Sequence, residues 1–246
     1  MSWTRIRAIF VKELRDYRRN RFIMVTMALM PAIFIVLPIL DIFVLPAVRA
    51  SSAASSALDK RIGLSLLYML IIPAVVPATL AGYSVVGERE QGTLEPVLTT
   101  PVRAEEFLLG KALAVLLPTL AIVYAMFGIF LACVKLFAQP AIATAIFSGQ
   151  HVLVQLLFTP LLAGWSIWVG LMISARASDV RVAQQLGMLA SLPPLAVVAL
   201  LSLGVIHESV ALAVGLGTAL LVVDAVGWRV VAAVFDRERL VTGGRT

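Results

Sequence analysis

The chain has 246 residues, 61% apolar and 14% charged, with a mean hydropathy of +0.99 and a formal net charge of +6. A soluble domain averages about 45–50% apolar and about 25% charged, and one of this size leaves too much surface in water to hide the excess, so a soluble globular fold is excluded. The single cysteine, Cys133, excludes an intrachain disulfide and a cysteine-rich metal site. The basic residues flank apolar runs, which speaks for membrane topology and against a nucleic-acid partner.

Residues 3–20 come first and carry no span. Trp3, Ile6, Phe10, Leu14 and Tyr17 recur at spacings of three and four, on one helical face, with Arg5, Arg7, Lys12, Arg15, Arg18 and Arg19 over much of the rest. This predicts an amphipathic interfacial helix over residues 1–21, its cations toward anionic headgroups. Two roles stay open: a surface anchor that only orients the first span, or an elbow that also touches a partner or the loop after the second span.

Six spans follow, at about 20 apolar residues per crossing: 22–48, 62–86, 112–137, 151–174, 183–206 and 209–234. The first run is far longer than the about 7–15 apolar residues of a signal peptide. The third and fourth runs are divided by Ala138-Gln139-Pro140 and Ser148-Gly149-Gln150, and the last two only by His207-Glu208-Ser209. Pro193-Pro194 lies inside the fifth run, where proline removes backbone donors and breaks or kinks a helix, so a shorter helix followed by a re-entrant piece is one reading. With both termini inside, inner segments hold sixteen Lys/Arg against four outside (Arg49, Lys60, Arg61, Lys135), which places the termini in the cytosol. The fold class is an all-α polytopic membrane protein, a single domain over 1–246 with six transmembrane helices.

The segment 87–111 is the most polar stretch between apolar runs. Gly92 tolerates the left-handed conformation of a helix C-terminus, so it can end the second span. Thr93 can cap a short helix, with Glu95 favoured in its first turn. Thr100-Pro101 is a second start signal, followed by Glu105 and Glu106, and Lys111 marks the return to the bilayer. The punctuation reads as helix end, short helix, turn, helix start.

The string Gly87-Glu88-Arg89-Glu90, Gly92-Thr93-Leu94-Glu95, Leu98, Thr100-Pro101 and Gly110-Lys111 resembles the signature of type-2 ATP-binding-cassette exporter permeases. Ser174 to Arg181, leading into Ala183-Gln184-Gln185-Leu186-Gly187, resembles that family's loop between the fourth and fifth spans, and Phe235-Asp236-Arg237-Glu238-Arg239 its C-terminus. The resemblance implies a half-transporter in a prokaryotic plasma membrane: two permease chains, identical or different, over two ATPase chains that bind ATP and Mg. It implies ATPase coupling by Glu88, Arg89, Glu90, Gly92, Thr93, Leu94, Glu95, Leu98, Thr100 and Pro101, and a second cytosolic loop at Arg176, Asp179 and Arg181. The substrate it implies is apolar or amphipathic, drug-like or lipid-like; a sodium or haem-pathway permease is the alternative. The chain lacks the Gly-x-x-x-x-Gly-Lys-Ser/Thr pattern that cradles ATP phosphates, so no nucleotide-binding domain, cofactor or catalytic residue is expected on it.

Asp224 is the candidate intramembrane polar site, about 7–8 Å by helix rise from Arg229. An aspartate at a span centre costs roughly 2.5–3.5 kcal/mol, less near an interface, so it either lines a cavity or serves as a structural partner. Asp41 and Lys135 lie near outer span ends and read as interfacial. A membrane-embedded hydrolase needs a nucleophile with a base in reach, and His151 and His207 have no such partner in sequence; a zinc site lacks a third ligand. An ion-coupled secondary transporter finds only Asp224. Cysteines introduced at positions 55 and 149 of a Cys133-free protein should label from outside the cell, and one at 93 from inside; outside labelling at 93 would refute this topology.

Overall fold

The computed structural model describes residues 1–43, 52–94, 102–147, 149–203 and 209–234, and all regular structure among them is helical. An N-terminal helix, Trp3–Arg19, precedes six helical spans: Ile23–Phe43, Asp59–Glu90, Ala104–Phe137, His151–Arg176, Val180–Ser202 and Val210–Ala233. The expected spans are recovered among the described residues, with 44–48 and 204–206 lying outside them, but the second and third helices outrun their apolar runs. The third begins at Ala104, eight residues before the expected 112, and the second runs on to Glu90. The reason is that the polar turns at their ends, including Glu88, Glu106 and Lys111, are buried against other elements of the same chain and so remain helical outside the apolar zone.

The second span is the hub. In its most apolar window 72% of residues are buried, against 18% in the first span and 17% in the sixth. The first and sixth turn apolar side chains such as Leu29, Ile33, Val222 and Val226 outward, as lipid-facing helices do. Around the hub, small residues bring backbones together. A Cβ on Gly170 of the fourth span would lie 2.7 Å from the Ala81 side chain and 3.3 Å from the Ala78 carbonyl. One on Gly187 of the fifth would lie 3.1 Å from that same carbonyl, and one on Gly82 would lie 3.1 Å from the Ala183 carbonyl. Ala78, Ala81 and Gly82 thus form a three-way junction of the second, fourth and fifth spans, packed by the close approach that small residues allow in membranes.

The fifth span breaks where its prolines require. One helix covers Val180–Ala190 and another Leu192–Ser202, with Ser191 between them. Pro194 has no N–H for the carbonyl of Ala190, four residues earlier, and the Trp165 indole supplies it at 2.9 Å. The Ser191 hydroxyl donates to Gly187 O at 2.9 Å, holding the joint closed. At the far end of the bundle Phe127, Phe130 and Val134 pack with Ile62, Leu66 and Met69. A short helix, Pro140–Ile146, which the Ala/Pro spacing did not announce, places the buried Ile146 on this cluster. Asp41 there accepts from the Ser65 hydroxyl at 3.1 Å, and Lys135 is exposed. Ser209 opens the last helix by accepting the Leu212 N–H at 3.1 Å, while His207 and Glu208 lie outside the described residues.

Overpacking a closed helix contact costs about 1–3 kcal/mol, so Gly170→Leu should lower the melting temperature of the purified protein clearly. Gly128→Leu, where a Cβ meets nothing within 4 Å, should leave it unchanged.

Candidate functional site

The N-terminal helix does more than rest on a surface. Ile6, Glu13 and Tyr17 are its buried residues, whereas Trp3, expected on the apolar face, is 68% exposed. The helix lies across the start of the third span, where Gly110 permits the approach: a Cβ there would sit 2.7 Å from the Ile9 side chain and 3.2 Å from Ile6 O. Glu106 fastens the beginning of the helix, accepting from the backbone N–H of Ser2 at 2.6 Å and pairing with Arg5 at 3.4 Å. The same carboxylate accepts the Arg103 N–H at 3.2 Å and so caps its own helix. That cap sets the helix start at Ala104 instead of the expected Thr100-Pro101, because Arg103 is still extended. Thr100 and Pro101 themselves, with Glu95 and Leu98, lie outside the described residues.

Behind this contact is a buried cluster of two lysines and two glutamates. Lys111 is wholly buried, and Glu13 and Glu88 are 5% and 8% exposed. The Lys111 ammonium donates to Glu13 at 2.9 Å and to Ser84 O at 2.9 Å, forms an ion pair with Glu88 at 3.1 Å, and lies 4.9 Å from the Phe107 ring centre. Lys12 pairs with the same two glutamates from the wetter side, at 3.3 Å to Glu13 and by a direct contact with Glu88. Burial works against charge on Glu13, but Lys111 and Lys12 outweigh it and hold the carboxyl below its ordinary 4.5. Burial likewise opposes charge on Lys12, and Glu13 and Glu88 outweigh it, raising its pKa. Tyr17 beside them is pushed well above 10.0 by burial first and by Glu13 and Glu88 next, so it stays a phenol.

Glu88 is the first of three consecutive charged residues that between them hold four other elements. Glu88 holds the N-terminal helix and the third span through the two lysines. Arg89 donates to Ala175 O at 2.7 Å and Ala177 O at 3.1 Å, satisfying carbonyls at the end of the fourth span. Glu90 accepts the Val180 N–H at 3.1 Å, the first donor of the fifth-span helix. Asp179 completes that start by accepting from Arg181 N at 2.7 Å and Val182 N at 3.2 Å, so two carboxylates sit at a helix N-terminus, where its dipole favours them. Ser174 adds a buried tie, its hydroxyl accepting from Val85 N and Val86 N, both at 3.0 Å. Arg176 and Arg181 are exposed at the same end.

The chain then leaves the second span through a tight exit. Gly92 has φ +67, the left-handed conformation expected of it. Thr93 N bonds to Glu88 O at 2.9 Å and Gly92 N to Arg89 O at 3.1 Å, the pair that defines a Schellman motif. The Thr93 hydroxyl, expected to cap the next helix, donates to Glu88 O at 3.3 Å. Leu94 is 2% exposed and packs in the main core with Tyr17, Val85 and Phe107. It therefore anchors the loop to its own chain and offers no face to a partner.

Asp224 stands apart from this cluster. It accepts the Trp168 indole N–H at 3.0 Å and lies against Gly164, where a Cβ would come within 3.1 Å of its carboxylate. Trp168 in turn packs edge to face with Trp165 at 5.0 Å. The carboxylate joins the fourth and sixth spans. Sequence reasoning missed Glu13 and took Lys111 only as a boundary marker. The available signal was an acid on the buried side of an otherwise apolar helical face.

Compared with known proteins, residues 7–236 match the family described as "ABC-2 family transporter protein". No curated protein sequence matches the chain.

Removing one partner of a buried ion pair costs about 3–5 kcal/mol, so Lys111→Met should destabilise the protein strongly, and adding Glu13→Gln should recover part of the loss. Stability supplied by Glu13 is present above its unfolded value of 4.5 and lost as pH falls through its lower folded value. That supplied by Lys12 is present below 10.5 and lost as pH rises through its higher folded value. Thermal melts across pH should fall off at both limits, and Glu13→Gln should flatten the acid limb.

Proposed function

The chain belongs to the ABC-2 family of transporter proteins and is a membrane permease; from that premise we propose that it is the membrane half of an ATP-driven exporter for an apolar or amphipathic substrate, powered by separate ATPase subunits. In this reading the end of the bundle that carries the N-terminal helix faces the cytosol. Two ATPase chains dock beneath a pair of permease chains, and ATP and Mg bind on the ATPases.

One observation carries the proposal: Glu88, Arg89 and Glu90 fasten the base of the second span to four other elements. A push on the loop that begins at Gly92 therefore reaches the N-terminal helix and the third, fourth and fifth spans together. The loop starts from a hydrogen-bonded turn and a buried leucine, so its exit from the second span is stiff enough to carry force. Exposed ion pairs are worth only about 0–1 kcal/mol each, so docking rests on shape and on apolar residues of the loop; with Leu94 committed to the core, Val97 and Leu98 are left for that part.

The route for substrate lies between two chains. Among the described residues, the cavity near His151 and Gln155 has a volume of about 30 Å³, room for about one water. The second span is mostly enclosed by its own chain, whereas the first and fifth have free apolar faces, with Leu29, Ile33, Leu186 and Leu189 exposed, against which a second chain can pack.

Glu90→Gln should leave insertion and ATPase co-purification intact but lower transport per ATP hydrolysed by about five-fold, the equivalent of roughly 1 kcal/mol in one weakened hydrogen bond. Leu98→Asp should lose co-purification. If both variants assembled and transported like the parent protein, the coupling role of residues 88–101 would be wrong.

A further inference from the structure

A cavity of about 400 Å³ opens beneath the second half of the N-terminal helix, between it, the start of the first span and the exit from the second. Its wall has an unusual charge balance. Glu13 and Glu88 are neutralised by Lys12 and Lys111 in the closed cluster. That leaves one anion, Asp16, and one cation, Arg19, lining the same space. Asp16 has only a long exposed contact with Lys12, 3.7 Å, and Arg19 makes no ion pair among the described residues. Between them Tyr17 lines the cavity, 4% exposed, with a buried hydroxyl that has no hydrogen-bond partner among the described residues. A buried phenol left unsatisfied is costly, and a ligand that accepts its hydrogen bond removes that cost.

The depth of the cavity identifies the class of ligand. Asn20 and Ile23, where the first span enters the membrane, form part of its wall, and Arg15, Arg18 and Arg19 are exposed on the helix above. That is the level of lipid headgroups. A purely anionic headgroup would meet Asp16; a purely cationic one would meet Arg19. We propose that this cavity binds the headgroup of a zwitterionic aminophospholipid, its phosphate held by Arg19 and the Tyr17 hydroxyl and its ammonium by Asp16. Asp16 and Arg19 are three apart on one helix, a spacing of about 5–6 Å between Cβ atoms, which suits the two-carbon link of an ethanolamine phosphate. The bound lipid would wedge the N-terminal helix against the second span next to the buried cluster, making the position of that helix depend on the lipid around it.

The test is retention of defined lipids by the full chain purified without an ATPase, so its outcome is independent of any transport assay. The protein is exchanged into mixed micelles holding equal phosphatidylethanolamine, phosphatidylcholine and phosphatidylglycerol, and bound lipid is counted by native mass spectrometry. Phosphatidylethanolamine should be retained about five-fold or more over the other two, as one charge-assisted hydrogen bond implies. Asp16→Asn should bring phosphatidylethanolamine down to the level of phosphatidylcholine, whose quaternary ammonium has no N–H to donate. Tyr17→Phe, which keeps the packed ring, should weaken both alike, and Arg19→Gln should do the same. Equal retention of all three lipids, or retention unaffected by Asp16→Asn and Tyr17→Phe, would show only a charged annulus and overturn the proposal. Loss of retained lipid whenever a partner ATPase is bound would assign the cavity to a protein side chain and overturn it too.

Discussion

A lysine with no exposed surface is the constraint around which one end of this protein is organised. Lys111 is held from two distant parts of the chain: by Glu13 on the N-terminal helix, and on the second span by a hydrogen bond to Ser84 O and an ion pair with Glu88. A buried cluster of this type adds little net stability over an apolar core of the same shape, because desolvation cancels most of the Coulomb attraction. Its effect is discrimination. Any arrangement that slides the N-terminal helix or rotates the second span strands a charge, so the elements meet in one register or not at all.

The rest of the architecture extends from that register. The small residues Ala78, Ala81 and Gly82 bring the fourth and fifth spans to backbone distance from the second. A few residues further along, Arg89 and Glu90 meet the end of one of those spans and the beginning of the other. Packing fixes how close the helices lie, and the polar contacts fix how far each is shifted along its axis. The sixth span meets the fourth through Gly217 and Gly227 and through the Asp224–Trp168 hydrogen bond, and Asp41 adds one hydrogen bond from the first span to the second. The bundle thus centres on the second span, the most enclosed of the six.

Much of this was legible in the residues alone. Hydropathy gave the six spans because lipid demands about 20 apolar residues of each, and Gly92 and Pro193-Pro194 marked their breaks because backbone chemistry leaves those residues few alternatives. What was not legible depends on contacts between residues far apart in the chain. Lys111 and Glu13 are 98 positions apart, and no local pattern ties them. The overrun of the second and third helices, and the burial of Leu94, follow from the N-terminal helix lying across them, which amphipathicity alone reads equally well as contact with a membrane. Trp3 shows the limit from the other side: its spacing fits the apolar face, yet it lies just where the helix begins and remains exposed.

The chain order of the buried cluster has a consequence for how the protein is made. Glu13 and Lys12 leave the ribosome first, adjacent to one another and already of opposite charge, and Glu88 follows at the end of the second span. Lys111 comes last. A lysine at the centre of a nascent span costs about 2.5–3.5 kcal/mol when it must partition alone, and one at the head of a span costs less, but still more than an apolar residue. Here both carboxylates have been synthesised before the lysine appears, so the third span enters a neighbourhood that can already receive its charge. Synthesis from the N-terminus therefore delivers the partners before the residue that needs them, and the N-terminal helix serves the nascent chain as an intramolecular template.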